Sequence, residues 1–291
     1  MERLSFYAEI AKNKRNSVFL MIAVIIVIVG LGYAITLATS PEYFTMIMIF
    51  ATIFSVFYVL ISYYNSDKIA IASVNAKPAS GEKYRIYHNL VEGLCLASGL
   101  PKPKLYVIEN EQINAFASGR NPEHAVICVT TGALEKLNKQ ELEGVLAHEL
   151  SHVANYDIRF MTLTAVLVGM VSIISQIFLR SLWFSSGNRN DKGKALFMLV
   201  GVILAILAPI AVMLVQLAIS RKREYTADSS AVKFMRTPTG LIGALEKIKH
   251  NQDMKVSGAV APLFLARPSR TSEIFQTHPP LEKRIERLKR M

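Results

Sequence analysis

The chain has 291 residues, enough for one or two domains, and 52% of them are hydrophobic, with a mean hydropathy of +0.32. This composition is too apolar for an ordinary soluble protein and favours a membrane protein. The formal net charge is +11, but no basic stripe interleaved with aromatic residues and no recognition motif is present, so we expect no nucleic acid partner. The basic excess is better explained by the flanks of membrane segments and by a solvated C-terminal helix.

Four windows without charged side chains, each about 20 residues or more, are long enough to cross the bilayer as helices. They are residues 17–38, 45–64, 160–179 and 195–219. The first two are apolar all round and separated by a short connection, which predicts a transmembrane hairpin within residues 1–64. The second pair, within residues 159–219, is diluted by polar residues and a proline. Two interpretations stay open for it: two further crossings, or a hairpin packed on the protein and the interface.

Basic residues flank the first hairpin on both sides. They are Arg3, Lys12, Lys14 and Arg15 before it, and Lys68, Lys77, Lys83 and Arg85 after it. The positive-inside bias places both flanks in the cytoplasm. Two further crossings, or none, return the C-terminal segment to the same side, so we expect a catalytic domain and both termini in the cytoplasm and the lipid bilayer as a partner.

Two soluble segments remain, residues 65–158 and 220–291, and together they are long enough to build one core. In the first, residues 84–99 predict a helix that ends at Gly99. Three runs rich in β-branched and aromatic residues follow between turn formers: LYVIE, INAFAS and AVICVT. We expect a small antiparallel sheet from them. Cys95 and Cys128 lack CxxC spacing and are predicted to be buried free thiols.

A further helix is predicted from Asn138, which precedes Glu141 in a capping-box arrangement ahead of apolar residues at helical spacing. This helix carries AHELSH, the HExxH pattern of zinc metalloproteases. His148 and His152 project from the same helix face and can meet one cation. Glu149 lies near that face without being a ligand and would act as the general base. The competing interpretation is two solvent-facing histidines.

Catalytic zinc usually takes three protein ligands, and no histidine follows at HExxHxxGxxH spacing. Glu224 stands out among the carboxylates outside the apolar windows and would complete a His, His, Glu site for one Zn²⁺ per subunit. Asp228, one turn later, would accept the free ring N–H of a zinc-bound histidine. Alternatively, both acidic residues belong to a solvated face beside Arg221 and Arg223.

Zinc held in this way would polarise a scissile carbonyl and lower the pKa of its water toward about 7. Glu149 would then take the proton and pass it to the departing amine. No serine, cysteine or lysine nucleophile with an orienting base competes with this arrangement. The residues therefore predict peptide hydrolysis without a covalent intermediate.

Taken together, the separated motifs resemble those of the HtpX family of membrane zinc metalloproteases, relatives of the eukaryotic CAAX prenyl proteases. The resemblance covers nearly the whole chain: two N-terminal membrane segments, INAFASG, AHELSHVANYD, a second hydrophobic pair, SRKREYTADSSA and THPPLEKRIERL. It implies a multi-pass, α-helical integral protein of a bacterial inner membrane, with a mainly α, α+β cytosolic zincin-like domain. It also implies zinc ligands at His148, His152 and Glu224, with Glu149 as the base.

The resemblance also implies substrate-binding positions. In such proteases an edge strand beside the active-site helix pairs with the extended substrate backbone, so Asn114, Ala115 and Phe116 are expected to bind substrate. Ordinary core packing is the alternative for Phe116.

Other residues receive supporting roles from the same resemblance. His278 and Arg284 would approach the zinc cleft as catalytic residues and stabilise the oxyanion, with helix capping and packing as the alternative. Asn155 and Asp157 would orient the end of the helix at the membrane. Tyr225 stands where phenylalanine is frequent in the family, and this departure touches none of the proposed ligands.

The leading hypothesis is a stress-response endopeptidase of protein quality control that cleaves misfolded or damaged membrane proteins, with association with other membrane proteases as a further expectation. A prenyl-protein or peptide processing protease is the alternative, although more membrane helices would be expected for it. A scaffold with structural zinc would need a closing cysteine or histidine, and neither cysteine lies near the motif in sequence.

Overall fold

The computed structural model describes residues 6–39, 43–164, 221–249 and 279–291. Its helices are α1 (Phe6–Thr39), α2 (Phe44–Tyr64), α3 (Ser66–Ser73), α4 (Arg85–Ser98), α5 (Thr131–Lys136), α6 (Lys139–Ala154), α7 (Arg221–Met235), α8 (Thr239–Lys249) and α9 (Leu281–Leu288). Its strands are β1 (Lys77–Pro78), β2 (Lys104–Ile108), β3 (Ala115–Gly119) and β4 (Ala125–Thr130). The chain is helical again over residues 157–164. The predicted windows 160–179 and 195–219 lie almost entirely outside the described residues.

The first two helices pack against each other, with Leu20 and Val24 of α1 in one buried cluster with Val59 of α2. Among the described residues, α2 alone is both long and apolar enough to cross a membrane by length and composition. Large apolar side chains of α2 such as Phe50 are exposed, as expected for a helix that faces lipid. At about 1.5 Å per residue, the 34 residues of α1 span roughly 50 Å, more than the hydrocarbon thickness. The first turns of α1 therefore extend beyond the predicted window.

The four strands form one sheet in the order β1-β2-β4-β3. The antiparallel prediction, made for β2, β3 and β4, is correct for β3 with β4 but wrong for β2 with β4, which run parallel. Strand β1, which the sequence did not predict, pairs antiparallel with β2. The sheet is therefore mixed. Side-chain alternation and turn residues predict where strands lie. They do not predict whether two strands pair parallel or antiparallel, because both arrangements bury the same face of each strand.

The parallel pairing follows from how residues 109–114 cross the carboxyl end of β4. Three carbonyls of this connection bind that end: Gln112 accepts from the Thr130 hydroxyl, Asn114 from the Thr130 N–H and Asn110 from the Gly132 N–H. The chain is thereby carried from β2 to the far side of β4, where β3 begins. All six residues of β4 are buried, as suits a central strand.

The histidine-bearing helix α6 lies at the centre of the soluble core. It begins with the predicted capping box, in which the Asn138 side chain accepts from the Glu141 N–H and the Glu141 carboxylate accepts from the Asn138 N–H. It packs against α4, α7, α8 and β3. Gly144 lets α8 come close, since a Cβ there would lie 2.4 Å from the Leu241 backbone nitrogen. Because α6 is packed between these elements, its side chains have little conformational freedom.

The remaining predicted elements of the soluble part lie close to their expected positions. Helix α4 ends at Ser98, where Gly99 takes a left-handed φ of +71°, as the sequence predicts. The thiols of Cys95 and Cys128 are buried and free. The basic C-terminal helix is α9, which packs against α7 and α8.

Candidate metal centre

The two histidines of α6 point into one buried site. His148 is 1% exposed and His152 is 4% exposed, which excludes the interpretation of two solvent-facing histidines. Their Nε2 atoms lie 3.3 Å apart. Two ring nitrogens at this separation are aimed at a common point, as the four-residue spacing on one helix predicts.

Glu224 of α7 completes the group. Its carboxylate oxygens lie 3.5 Å from His148 Nε2 and 3.7 Å from His152 Nε2. The glutamate is 2% exposed, so it does not belong to a solvated face. One ligand atom from each of the three residues can be chosen so that all lie within 4.8 Å of one another.

These separations suit a tetrahedral metal ion of the size of zinc. Zinc binds histidine nitrogen and carboxylate oxygen at about 2.0–2.2 Å, so tetrahedral ligand atoms lie roughly 3.3–3.5 Å apart. The two Nε2 atoms lie 3.3 Å apart, Glu224 Oε2 lies 3.5 Å from His148 Nε2, and Glu224 Oε1 lies 3.7 Å from His152 Nε2, all close to this range. The donor set, two imidazoles and one carboxylate, is also one that catalytic zinc sites use.

Each histidine has a carboxylate behind it. His148 Nδ1 lies 3.0 Å from Asp228 Oδ1, and His152 Nδ1 lies 3.1 Å from Asp157 Oδ2. When each Nδ1–H donates to its carboxylate, each Nε2 presents a lone pair to the shared point. Sequence reasoning expected this contact for Asp228. It also placed Asp157 and Asn155 among the residues that support the ligands, with the role of orienting the helix end, but it did not name His152 as the partner of Asp157.

Arg284 of α9 is fully buried and joins the C-terminal helix to the site. Its Nε and Nη2 donate to the two oxygens of Asp228 at 2.9 and 2.6 Å. Its Nη1 lies 3.3 Å from Glu224 Oε2, and its Nη2 lies 3.3 Å from His148 Nδ1. These contacts favour a positioning role for Arg284. His278, predicted to share its task, lies outside the described residues.

The charged groups at this buried site stabilise the ionised forms of one another. Burial opposes the ionisation of Asp228, but Arg284 and His148 outweigh it and keep the pKa of Asp228 below its ordinary value. Burial opposes the charged form of Arg284 as well, yet Asp228 and Glu224 raise its pKa above its ordinary value. Burial and Arg284 lower the pKa of His148, but the carboxylates of Asp228 and Glu224 raise it to about 9. A metal ion that binds His148 therefore displaces a proton.

Glu149 stands beside the histidines and is 2% exposed. Burial raises the pKa of Glu149, although both histidines and a hydrogen bond from the Ala117 backbone N–H act in the opposite direction. A carboxylate with a raised pKa is a better proton acceptor near neutral pH than an ordinary glutamate. The contact with Ala117 places β3 directly against this carboxylate.

Strand β3 is at the edge of the sheet in the part of the chain that the structure describes. Asn114 pairs with Thr130 through the backbone, so in the antiparallel alternation Ala115, Ala117 and Gly119 turn their backbone groups away from β4. Their N–H groups meet the Asn114 side chain, Glu149 and Thr162, respectively.

The three predicted substrate-binding residues are all buried. Phe116 packs in a cluster with Ala70, Ile108 and Cys128, so its side chain takes part in core packing. The outward backbone of β3 is the part of this strand that lies beside the metal site.

Asn155 ends α6, where its backbone N–H donates to Ser151. Two residues near it were missed by sequence reasoning. Asn13 of α1 donates to Asp157, and Arg223 Nε lies 3.6 Å from the same carboxylate. Residues 13, 17, 20 and 24 of α1 are all buried and share one helix face. Because Asn13 and Ser17 are polar, no apolar periodicity in the sequence indicates this face.

A buried HExxH helix with a facing glutamate, a mixed sheet and an apolar N-terminal helix pair define a membrane metalloprotease. The sequence matches the model of peptidase family M48 over residues 82–291, and the chain belongs to this family. It is similar to a protease HtpX homolog of Thermoanaerobacter pseudethanolicus, with 43% identity covering 99% of both chains. A homolog with the same name from Caldanaerobacter subterraneus is 42% identical, again over 99% of both.

A solved structure is also similar. The crystal structure of Ste24p from S. mikatae matches with a TM-score of 0.50 at 22% sequence identity. The match covers 90% of this chain and 61% of that one. At this identity the likeness concerns the fold alone.

Proposed function

We propose that the protein is a zinc endopeptidase in which His148, His152 and Glu224 hold one Zn²⁺ per subunit and Glu149 is the general base. One observation carries this proposal: the buried Nε2 atoms of His148 and His152 lie 3.3 Å apart, and the two carboxylate oxygens of Glu224 lie 3.5 and 3.7 Å from one Nε2 each, with a buried carboxylate at the next position of the HExxH helix. Two protein carboxylates behind the histidines support the same assignment.

Zinc bound at this site supplies a Lewis acid that polarises the scissile carbonyl and activates water. The Glu149 carboxylate takes the proton of the attacking water and delivers it to the nitrogen of the leaving amine. The raised pKa of Glu149 supports this role because the carboxylate must both accept and release the proton. Arg284 keeps Asp228 and Glu224 in place, and an oxyanion role for His278 stays a prediction.

An extended substrate would add to the sheet along the outer edge of β3. The outward N–H of Ala117 donates to Glu149, so a peptide that took the place of this contact would pass the base and the metal ligands. Recognition through the backbone depends little on the side-chain sequence of the substrate. This suits a protease that degrades damaged membrane proteins of many sequences.

We place the site on the cytoplasmic side of a bacterial inner membrane in a multi-pass protein. The basic flanks of the first hairpin support this orientation. Misfolded or damaged membrane proteins are the proposed substrates, since α1 and α2 hold the site close to the bilayer. Association with other membrane proteases is part of the same proposal.

Proteolysis of an unfolded membrane protein by the purified full chain tests the proposed function. We expect Glu149→Gln to lower the rate by about 10²- to 10⁴-fold, the usual contribution of a general base, while zinc stays bound. Glu143→Gln, the same change at a half-buried glutamate of the same helix, is the matched control and should cleave like the parent. Equal rates for Glu149→Gln and the parent would refute the mechanism.

A further inference from the structure

Asn13 of α1 reaches the metal centre from the opposite end of the chain. It is 2% exposed, although its neighbours in sequence, Lys12 and Lys14, are exposed. Its side-chain Nδ2 donates to Asp157 Oδ1 at 2.7 Å and to the backbone carbonyl of Asn155 at 2.9 Å. Both partners lie just beyond the C-terminal end of α6, about 140 residues away in sequence.

These two hydrogen bonds connect Asn13 to a candidate metal ligand. Asp157 uses its Oδ1 for Asn13, and its Oδ2 accepts from Nδ1 of His152. The second bond of Asn13 holds the Asn155 carbonyl, which belongs to the residue that ends α6. One carboxamide thus fixes the carboxylate relative to the helix that carries His152. Arg223 is a further described neighbour of Asp157 at 3.6 Å and makes a longer contact.

The first helix is docked at this point by more than Asn13. The Lys14 ammonium lies 4.2 Å from the centre of the Tyr156 ring. One turn after Asn13, the buried hydroxyl of Ser17 donates to the Asn13 carbonyl within α1. Leu20 and Val24 then continue the same face into a cluster with Phe160 and Leu163. The match to the family model begins at residue 82, so this helix lies outside the matched part of the chain.

We propose that Asn13 is a positioning residue of the metal centre, which acts through Asp157 to hold the His152 imidazole with Nε2 toward the metal. The N-terminal membrane helix is then part of the zinc site as well as an anchor. This inference rests on the proposed zinc ligands. The carboxamide touches neither metal nor substrate, so its effect is on affinity for zinc.

The test compares zinc affinity of full-length variants in detergent, by competition with a chelator of known affinity. We expect Asn13→Ala to weaken zinc binding by about 3- to 10-fold, less than the 10- to 100-fold typical for a partner that touches a ligand directly. Ser17→Ala is the matched control, because Ser17 is equally buried on the same helix and its hydroxyl, within the described residues, donates to a carbonyl of that helix. Thermal unfolding of the zinc-stripped variants reports folding separately.

A double-mutant cycle shows whether Asn13 acts through Asp157. If it does, Asn13→Ala adds little to the zinc affinity lost in Asp157→Ala, whereas independent effects would multiply. Asn13→Asp keeps the size of the side chain but faces the Asp157 carboxylate with a second one, so it should weaken zinc binding more than Asn13→Ala. This variant serves if the alanine variant does not fold.

The outcomes separate the two proposals. A parent chain that binds no zinc would refute the proposed metal site itself. A parent that binds zinc, with Asn13→Ala and Asn13→Asp binding it equally tightly, would refute the role of Asn13 alone. Multiplying effects in the cycle would also overturn it, since Asn13 would then act by another route.

Discussion

The two histidines of the metal centre are supported by different parts of the molecule. Asp228, which contacts Nδ1 of His148, accepts two short hydrogen bonds from Arg284 of the last helix. Behind His152, Asp157 is held by the neutral carboxamide of Asn13 from the first helix. One support is a buried ion pair between α7 and the last helix, and the other is a hydrogen bond from the first helix with the longer contact of Arg223 beside it.

This difference has consequences for stability and for metal binding. A buried ion pair that loses one partner leaves an uncompensated charge, which is far more costly than the loss of a neutral amide. The Arg284 support should therefore matter for folding as well as for zinc. Loss of the Asn13 hydrogen bonds should mainly change the orientation of the His152 ring.

The largest expected effect is on the Arg284 side. Arg284→Ala leaves Asp228 and Glu224 buried without their cation, and we expect the free energy of unfolding to fall by about 3–5 kcal/mol. Chemical denaturation of the detergent-solubilised chain measures it. Arg290→Ala, two residues after the same helix ends, breaks an exposed ion pair with Glu286 and should change little. A stable Arg284→Ala chain would mean that the ion pair is not a support of the fold.

The two carboxylates give a direct comparison of the supports. Asp228→Ala and Asp157→Ala should each weaken zinc binding by about 10- to 100-fold, because each leaves one histidine without the partner of its Nδ1. Only Asp228→Ala should also lower stability strongly, since it removes the carboxylate that accepts two hydrogen bonds from the buried Arg284 and leaves Glu224 as the other acidic contact in the described residues. Zinc competition and thermal unfolding of both variants check this. Identical stability losses would remove the distinction between the two supports.

A change at the exposed start of α6, away from the metal, should have the smallest effect. Asn138→Ala removes the capping box at the start of α6 and should cost about 1 kcal/mol of stability. Zinc affinity should stay at the parent value, because the cap lies about four helical turns before His152 and its capping-box hydrogen bonds go to Glu141. Reduced zinc affinity here would show that the site responds to any loss of stability, which would weaken every comparison above.

The sequence predicts the α6 helix, its capping box and the glycine that ends α4 because these features depend on neighbouring residues. Pairing of β2 with β4 depends on how a six-residue connection crosses the end of a central strand, and no local pattern reports that. Glu224 could be proposed because it stands out among the carboxylates that lie outside the apolar windows. Asn13 could not, because a lone asparagine among lysines looks solvated until the fold places α1 against the end of α6.

The most direct test of the central claim is the zinc content of the Glu224→Ala chain after equilibration at limiting free zinc. The proposed site predicts one zinc per chain for the parent and for Glu149→Gln, and a nearly complete loss for Glu224→Ala. A folded Glu224→Ala chain that keeps one zinc with the affinity of the parent would contradict the assignment of the third ligand and the account built on it.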